Sequence, residues 1–240
     1  MTAIGIIGGT GFKTWKELED VKSVESTTPW GTPSSPLFNG SLHGTDVYLI
    51  MRHGEKKDIP AHMVNHRANI YALQRHTKKI IGVSSAGALI KEIQVPSISI
   101  PSDYVNLWNI ISFFNESIMH VTPSLSNELR DKLLDCCDGS DVPVRDSDIY
   151  VQTVGPRLET KAEINVLGTM GDLVGMTMAA EATLSKEANL KYASITTVDN
   201  YANGIIDDKI DYQEIVSRAE HNWENATKIL SCFIKRYGDE

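Results

Sequence analysis

The amino-acid sequence predicts an α/β fold, in which one domain spanning residues 1–240 has a central mixed, largely parallel β-sheet flanked by helices. Short apolar strands alternate with longer amphipathic segments along the chain, and this order is typical of a parallel sheet with helical crossovers. Neither an internal repeat nor a low-complexity tract divides the sequence. Glycine-rich or polar segments follow the strands, at the positions where open α/β sheets bind ligands.

The predicted strands are apolar or β-branched runs, and the predicted helices show apolar residues at helical spacing. The strands are residues 4–11, 46–51, 79–85, 94–105, 149–153, 172–176 and 191–198. The helices run from Pro60 to about residue 75, from residue 124 or 126 to 137, from about residue 159, from 178 to 189 and from 212 to 236. Residues 106–123 lack a clean period, and three roles stay open for them: a lid, an oligomer contact or a packed loop.

Composition and charge argue against several classes of function. The net charge of -8 disfavours a general binder of nucleic acid or anionic membranes. The sequence has no apolar run of membrane-spanning length and no N-terminal signal pattern, so we expect a cytoplasmic protein. The three cysteines are Cys136, Cys137 and Cys232, and an odd number with two adjacent predicts reduced thiols rather than a disulfide or a zinc site.

A glycine turn ends the first predicted strand, in the segment IGIIGGTG at residues 4–11. Such a turn lets backbone N–H groups approach an anion, and the Thr10 hydroxyl adds a donor. A dinucleotide site would also need an acidic residue about 20 positions further on, at the end of the next strand. Here that strand ends in Arg52 and His53. A cation and an imidazole suit phosphate better than ribose hydroxyls, although a surface ion pair and a packed histidine are the ordinary alternatives.

Two later strands end in segments that could also face a ligand. Ser85 and Ala86 belong to SSAG, where small residues open a crevice, and a plain turn is the alternative. Gly155 and Pro156 stop the strand at 149–153, because proline lacks an N–H group and glycine lacks a side chain. Glu159 is then expected at the start of a helix, where the helix dipole favours a carboxylate.

Six segments in order, IGIIGGTG, RHG, SSAG, GPRLET, GMT and the segment around Asn200, resemble the trimeric purine nucleoside phosphorylase and methylthioadenosine phosphorylase family. The resemblance covers nearly the whole chain and comes closest to the archaeal-type 6-oxopurine nucleoside and methylthioinosine phosphorylases. It is weakest at about residues 106–127. It implies phosphorolysis of the N-glycosidic bond of a purine nucleoside, giving the free purine and an α-ribose 1-phosphate or its 5-methylthio analogue.

The resemblance also implies partners and assembly. The partners would be a purine nucleoside and inorganic phosphate, which is a co-substrate, with no organic cofactor. We expect no metal, because the sequence shows no ligand cluster of suitable spacing. The assembly would be a homotrimer or a dimer of trimers, with sites near the subunit contacts.

The family pattern assigns a role to individual side chains. The predicted phosphate ligands are Thr10, Arg52, His53, Ser85, Ala86 and Thr177. The predicted substrate-binding residues are Met176, Leu158, Glu159, Asn200, Tyr201, Ala202, Tyr212 and His120. Asn200 would donate to purine N7 as the base leaves, and Glu159 and His53 complete the predicted catalytic residues. Met176 would pack against the ribose, where a thioether does not compete for the hydroxyl groups.

Base selectivity depends on two positions. A carboxylate at Glu159 can accept the N1–H of hypoxanthine or guanine, but it would face the lone pair of adenine N1. An unpaired buried acceptor costs on the order of 1–3 kcal/mol, which favours a 6-oxopurine. The alternative is a methylthioadenosine phosphorylase, because a shift of one residue would put Asp199 instead of Asn200 in the base site. Leu158 stands where the family commonly has an aromatic residue, which weakens stacking on the base.

The 5′ end of the sugar is less defined. Tyr212 can either donate to a 5′-hydroxyl or pack against a methylthio group. His120 would reach the site of a neighbouring subunit, with ordinary packing or surface exposure as an equal alternative. The preferred 5′ group therefore stays open.

Two further classes of function are weighed against this interpretation. A nicotinamide-dependent reductase is suggested by IGIIGGTG alone, and the sequence lacks both the acidic ribose ligand and a Tyr-x-x-x-Lys pair. A nucleoside-binding module without catalysis would have no need of a phosphate site, which Arg52, His53 and Thr177 together indicate.

Overall fold

The structure is a computed structural model, which describes residues 3–9, 15–207 and 212–240. Its strands are β1 (Ile4–Gly8), β2 (Glu19–Val24), β3 (Leu37–Leu42), β4 (Thr45–Met51), β5 (Lys79–Ala88), β6 (Ser97–Ser99), β7 (Asp103–Val105), β8 (Val144–Arg145), β9 (Ile149–Gln152), β10 (Leu173–Gly175) and β11 (Lys191–Tyr201). Its α-helices are α1 (His66–Gln74), α2 (Asn127–Leu134), α3 (Lys161–Leu167), α4 (Met178–Glu187) and α5 (Tyr212–Tyr237). Short 3-10 helices cover Ala61–Met63 and Cys137–Gly139.

Within these residues the strands form one mixed sheet, with β5 at its centre. β5 pairs in parallel with β1 along one edge and with β11 along the other. β4 continues the parallel arrangement beyond β1, and β9 pairs in parallel with both β10 and β7. Antiparallel pairs join β2 to β3, β3 to β4, β6 to β11 and β10 to β5. The predicted α/β fold with a largely parallel mixed sheet is confirmed.

Apolar side chains cover both faces of the sheet. Alternate residues of a strand point to opposite faces, so Ile81 and Val83 of β5 pack with α2 and α5, whereas Ile80 and Ala86 pack with α1 and α4. The predicted apolar stripe of the last helix is confirmed over its buried part, which includes Ala219, Trp223, Ala226, Leu230 and Phe233.

Helix starts follow the local capping chemistry. The side chain of Asn65 caps α1 by accepting from the Ala68 N–H group, so this helix begins later than the predicted start after Pro60. In α3 the Thr160 hydroxyl and the Glu163 carboxylate form a reciprocal capping box. Glu159 therefore precedes the helix cap, and its predicted position at the start of the helix was wrong.

Several boundaries differ from the sequence-based expectations. β2 and β3 were not predicted, and the expected strand at 94–105 is two short strands, β6 and β7, separated by residues 100–102. β2 is almost entirely exposed, so its residues carry little of the apolar signal that marks a buried strand. Residues 106–123 contain no helix or strand.

The cysteines also depart from the prediction. Cys136 and Cys232 form a disulfide that joins the segment after α2 to α5, with 5.7 Å between their Cα atoms, so the prediction of reduced thiols was wrong for this pair. The pairing spans 96 positions of sequence, and the spacing of cysteines alone does not reveal such a contact. Cys137 is a free thiol.

Candidate active site

The candidate site is a cavity of about 660 Å³ at the carboxyl ends of β4, β5, β10 and β11. One edge of β5 changes partner here, because β1 pairs with it as far as Gly82 and β10 pairs with it at Gly87 and Ala88. The stretch of β5 between these partners faces the cavity. The predicted site residues that line it are Arg52, His53, Ser85, Ala86, Leu158, Glu159, Met176, Thr177, Asn200 and Ala202.

Arg52 is held at this gap by a buried ion pair. Its Nε lies 2.5 Å from Oε1 of Glu181, and its Nη2 lies 3.0 Å from Oε2. Its Nη1 donates to the carbonyl oxygen of Val83 at 3.0 Å, in the stretch of β5 that neither β1 nor β10 pairs. Tyr192 donates from its hydroxyl to Oε2 of Glu181 at 2.8 Å. A guanidinium has five N–H donors, and two of those of Arg52 have no partner among the described residues, so they can bind an anion.

Burial and pairing act in opposite directions on the Arg52 guanidinium. Burial lowers the pKa of Arg52, attraction to Glu181 raises it, and the net pKa lies above its ordinary value. Both side chains are almost fully inaccessible, at 1% for Arg52 and 0% for Glu181. A buried charge is stable only when it is compensated, so Glu181 allows the Arg52 guanidinium to stay buried at the edge of the cavity.

Glycines make the space for this buried cluster. A Cβ atom at Gly82 would lie 2.1 Å from the Tyr192 hydroxyl and 2.9 Å from Oε2 of Glu181. A Cβ atom at Gly9 would lie 2.7 Å from Nη1 of Arg52. These close approaches require the absence of a side chain at both positions.

His53 follows Arg52 and is neutral. Its Nδ1 lies 2.8 Å from the carbonyl oxygen of Ile59, which can only accept, so Nδ1 carries the ring hydrogen. Burial, followed by repulsion from Arg52, lowers the pKa of His53 to about 4. Any contact of this ring with a ligand must therefore use Nε2, which is an acceptor in the neutral tautomer.

Thr177 and Met176 bring the start of α4 to the cavity. Thr177 is the N-cap residue, and its side chain makes no capping hydrogen bond to the helix. Its hydroxyl is thus available to a ligand at a helix N-terminus, which favours an anion. Met176 packs against Gly155, where a Cβ atom would lie 2.6 Å from the Met176 sulfur.

Ser85 and Asp199 form a second polar cluster behind the cavity wall. The Ser85 hydroxyl donates to Oδ2 of Asp199 at 2.5 Å, and Thr197 donates to the same oxygen at 2.8 Å. Asn222 of α5 donates to Oδ1 at 2.6 Å. Asp199 is fully buried and does not line the cavity.

A β-bulge at Asp199 sets which neighbour faces the cavity. Val198 pairs with Ala86 and Asn200 pairs with Gly87, so β11 has one extra residue between these pairs. Asp199 turns towards α5, and Asn200 lines the cavity. Gly87 leaves room for Asn200, since a Cβ atom there would be 3.2 Å from Nδ2 of Asn200.

Glu159 lies in the same cavity as Asn200. Thr153 donates to Oε1 of Glu159 at 2.6 Å, which fixes the carboxylate and leaves lone pairs for a ligand. Asn203 donates from Nδ2 to the backbone carbonyl oxygen of Glu159 at 3.0 Å and so ties the segment after β11 to the segment before α3. Nδ2 of Asn200 donates to the carbonyl oxygen of Tyr201 at 2.8 Å.

Two predicted residues of the described structure, Tyr201 and His120, do not join this group. Tyr201 packs in the core and donates from its hydroxyl to the Ile93 carbonyl oxygen at 2.7 Å, so the structure does not bring it to the cavity. His120 is exposed on the surface of this chain and lines no part of the cavity. Thr10 and the side chain of Tyr212 lie outside the described part of the structure.

The family of the chain follows from comparison with known proteins. A family model described as "Phosphorylase superfamily" matches residues 3–235. The chain belongs to the phosphorylase superfamily. The predicted resemblance and the expectation of an enzyme are therefore confirmed.

Relatives within this superfamily carry three different names. A probable 6-oxopurine nucleoside phosphorylase of Archaeoglobus fulgidus is 44% identical, over 99% of this chain and 98% of that protein. A probable S-methyl-5′-thioinosine phosphorylase of Thermodesulfovibrio yellowstonii is 33% identical, over 99% of this chain and 92% of that protein. Among solved structures, a methylthioadenosine phosphorylase from an antarctic soil metagenomic library is 28% identical, with a TM-score of 0.91, and the match covers 100% of this chain and 87% of that one.

The sequence did not reveal several residues of the candidate site. Glu181 lies in a run of strong helix formers, where an acidic residue ordinarily indicates a solvated face. Its position one helical turn after Thr177 was the available signal. Asn203, Ile215 and Val216 also line the cavity, and the two apolar residues come from the start of α5.

No helix in the described ranges is long and apolar enough to cross a membrane. The same ranges contain no cluster of three or more His, Cys, Asp or Glu side chains suited to a metal ion.

Proposed function

We propose that this enzyme cleaves the N-glycosidic bond of 6-oxopurine nucleosides with inorganic phosphate, on inosine, guanosine or S-methyl-5′-thioinosine. The observation that carries the proposal is that Glu159 and Asn200 line the same cavity as Arg52, His53 and Thr177. A carboxylate and an amide that can recognise a 6-oxopurine thus share one space with an anion site. The products would be the free base and α-ribose 1-phosphate, or its 5-methylthio analogue.

Phosphate would bind between Arg52 and the start of α4. The two free N–H groups of Arg52 offer charge-assisted hydrogen bonds, and Thr177 adds a hydroxyl at a helix N-terminus. Ser85, Ala86 and His53 complete the ligand set in the described residues, with Thr10 as a further proposed ligand. Bound there, a phosphate oxygen attacks the anomeric carbon as the C–N bond lengthens and the ribosyl group develops positive charge. Catalysis then rests on positioning and electrostatic stabilisation, with no covalent enzyme intermediate.

The leaving base would be held by Asn200 and Glu159. As the C–N bond breaks, the purine gains negative charge, and the Asn200 amide stabilises it by donating to N7. Glu159 accepts the N1–H of a 6-oxopurine, whereas adenine would present a lone pair to the carboxylate. Within the described residues, Thr153 donates to Oε1 of Glu159 and Oε2 has no partner, so Oε2 can accept from the base.

The orientation of β11 supports this base preference over the adenine alternative. The hypothesis of a methylthioadenosine phosphorylase requires Asp199 in the base site. In the structure, the bulge turns Asp199 towards Asn222 and leaves Asn200 at the cavity. The apolar side chains of Ile215 and Val216 favour a methylthio group at the 5′ position. Methylthioinosine is therefore included beside inosine and guanosine.

Residues 1–240 would act as one nucleoside phosphorylase domain in a cytoplasmic homotrimer or dimer of trimers, without an organic cofactor or metal. Between residues 106 and 120 the surface of the single chain exposes several large apolar side chains, which suit burial against another subunit. They are Leu107, Trp108, Ile110, Ile118 and Met119. His120 follows them directly and would reach a neighbouring site only in such an assembly.

The testing experiment is phosphate-dependent base release, run in parallel on inosine, guanosine, adenosine, methylthioinosine and methylthioadenosine. Release of hypoxanthine or guanine with little adenine supports the proposal, and the ratio of inosine to methylthioinosine turnover defines the 5′ preference. Predominant release of adenine from methylthioadenosine would instead identify a methylthioadenosine phosphorylase. Absence of base release from all five nucleosides would overturn the proposed reaction.

A Glu159→Ser variant tests the assigned selectivity. It should lower kcat/KM for 6-oxopurines at least about tenfold relative to adenine nucleosides, because the acceptor for N1–H is lost. Glu159→Gln is the matched control, since its amide can donate to adenine N1 or accept from N1–H and should show an intermediate preference. Unchanged base preference in both variants would exclude Glu159 from base recognition.

A further inference from the structure

Asp199 controls a hydroxyl group that faces the cavity. Three side chains of the described structure donate to its carboxylate, Ser85, Thr197 and Asn222, and of these only Ser85 also lines the cavity. A serine hydroxyl has one hydrogen and two lone pairs. Because that hydrogen is directed at Oδ2 of Asp199, the Ser85 oxygen presents lone pairs, and no donor, to a ligand in the cavity.

The polar groups around Asp199 favour the charged carboxylate, which accepts from Ser85, whereas burial opposes the charge. The other hydrogen-bonding neighbours in the described structure are the hydroxyl of Thr197 on β11 and the amide of Asn222 on α5. The charged group that acts on the carboxylate is Arg218 of α5, whose Nη1 lies 3.4 Å from the Asp199 backbone oxygen. Burial raises the pKa of Asp199 above its ordinary value, and the hydrogen bonds from Ser85, Asn222 and Thr197, together with attraction to Arg218, offset part of this rise.

His53 supplies a second acceptor in the same cavity. Its Nδ1 hydrogen is used by the Ile59 carbonyl oxygen, so Nε2 of the neutral ring has only a lone pair to offer. Phosphate near neutral pH carries at least one P–OH group, which can donate to such an acceptor. Sulfate has the same size and shape but carries no proton under these conditions.

We propose that Asp199 is a specificity-determining positioning residue that fixes Ser85 as a hydrogen-bond acceptor, so that the anion site selects a protonated oxyanion and discriminates against sulfate. The proposal rests on the proposed function, because it takes phosphate as the anion bound beside Ser85. It deepens that function by assigning the protonation state in which phosphate is held. A P–OH group points to Ser85, a second P–OH group of the dihydrogen form can donate to Nε2 of His53, and the unprotonated oxygens face Arg52, Thr177 and the sugar.

The test measures binding of inorganic phosphate and of sodium sulfate by calorimetry, together with inhibition by sulfate in the base-release assay. Wild type is expected to bind sulfate at least about tenfold more weakly than phosphate, the size of one hydrogen bond. In Asp199→Asn, the new amide can donate to Ser85 and release its hydroxyl hydrogen towards the cavity. Sulfate affinity should then rise about tenfold relative to phosphate affinity.

Two further variants isolate the role of Ser85. Thr197→Val removes another donor to the same carboxylate oxygen without touching the cavity, so it should leave the ratio of sulfate to phosphate affinity unchanged. In the Ser85→Ala background, the Asp199→Asn substitution should no longer alter that ratio, which a double-mutant cycle measures.

The outcomes separate this proposal from the proposed function. Equal affinities of wild type for sulfate and phosphate, or an unchanged ratio in a folded Asp199→Asn variant, would overturn the role of Asp199. If Asp199→Asn does not fold, the comparison of wild type with Ser85→Ala decides the question, because loss of the acceptor must reduce the discrimination against sulfate. Base release from nucleosides tests the proposed reaction separately, since the calorimetric readout needs no turnover.

Discussion

Glu181 and Asp199 are both fully buried carboxylates near the same cavity, but they lie on opposite faces of the sheet and are compensated in different ways. Glu181 is paired with the permanent cation Arg52 and accepts a further hydrogen bond from Tyr192. Among the described residues, the hydrogen-bond donors to the Asp199 carboxylate are neutral hydroxyl and amide groups, and the Arg218 cation adds a smaller attraction. The first arrangement holds an ion pair in place. The second holds a carboxylate mainly through neutral donors, so its charge is less strongly compensated.

Removing the charge of Glu181 should have the largest effect. Glu181→Gln leaves Arg52 buried without a counter-ion, which typically costs about 3–5 kcal/mol of stability. We expect a large loss in the free energy of unfolding and at least a tenfold higher KM for phosphate, because the guanidinium loses its orientation. Chemical denaturation and initial-rate kinetics measure the two quantities.

Asp135 is the matched control for Glu181, because it also accepts from an arginine and a tyrosine, Arg236 and Tyr237, but on the surface. Asp135→Asn should leave both the unfolding midpoint and the phosphate KM unchanged, since water replaces the lost contacts. A similar loss in the two variants would mean that burial does not set the importance of the Glu181 pair.

Filling the space beside Glu181 should have the next largest effect. Gly82→Ala places a methyl group 2.1 Å from the Tyr192 hydroxyl, and overpacking of this kind typically costs about 1–3 kcal/mol. Gly139→Ala is the control, because nothing lies within 4 Å of a Cβ atom there. Denaturation curves should separate the two variants, and equal curves would show that the cluster can shift freely.

The pH dependence of stability should reveal a buried histidine beside the Glu181 cluster. Burial, followed by repulsion from Arg52 and His53, lowers the pKa of His66 from 6.5 to about 3. The neutral ring is favoured in the folded state, so its contribution is present above pH 6.5 and is lost as pH falls towards 3. At pH 5 the loss should be about 2 kcal/mol.

A His66→Gln variant should remove that part of the pH dependence. The measurement is the free energy of unfolding at pH 7 and at pH 5, for wild type and variant. An equally steep decline in both proteins would show that His66 is not the group that takes up the proton.

Asp199 should show the opposite sign and the smallest effect on stability. Its pKa is raised by burial against the lowering effect of its hydrogen bonds, so the folded protein holds this proton more tightly than the unfolded chain does. The associated stabilisation is present at low pH and is lost as pH rises above the ordinary value of 3.8. The free energy of unfolding of wild type minus that of Asp199→Asn should therefore decrease with rising pH. A difference that increases with pH would contradict the assignment.

The sequence predicted the elements whose burial follows a clear period. β4, β5, β11, α4 and α5 lie close to their expected positions, because their apolar residues recur at the spacing of a buried strand or helix face. β2 escaped prediction because it is exposed along nearly its whole length. Glu159 lies before the helix and not at its start, because Thr160 is the N-cap residue and forms the capping box with Glu163.

The sequence predicted the site residues that belong to short motifs after strands. It did not predict the residues that hold them in place through tertiary contacts. Arg52, Ser85, Thr177 and Asn200 come directly from such motifs and meet in one cavity. The partners that hold them, Glu181 for Arg52 and Asp199 for Ser85, lie more than a hundred positions away in sequence. No local pattern reports a contact over such a distance.

Because of the bulge in β11, two adjacent residues carry the proposed selectivity for the anion and the proposed selectivity for the base. Asp199 and Asn200 face different sides of one strand, and one is proposed to select the anion while the other holds the base. Deleting either codon would remove the extra residue and shift the remaining side chain towards the wrong partner. Laboratory evolution towards a new base should therefore alter sulfate tolerance as a by-product. Compensating substitutions should accumulate at Ser85 or Asn222, which contact Asp199 directly.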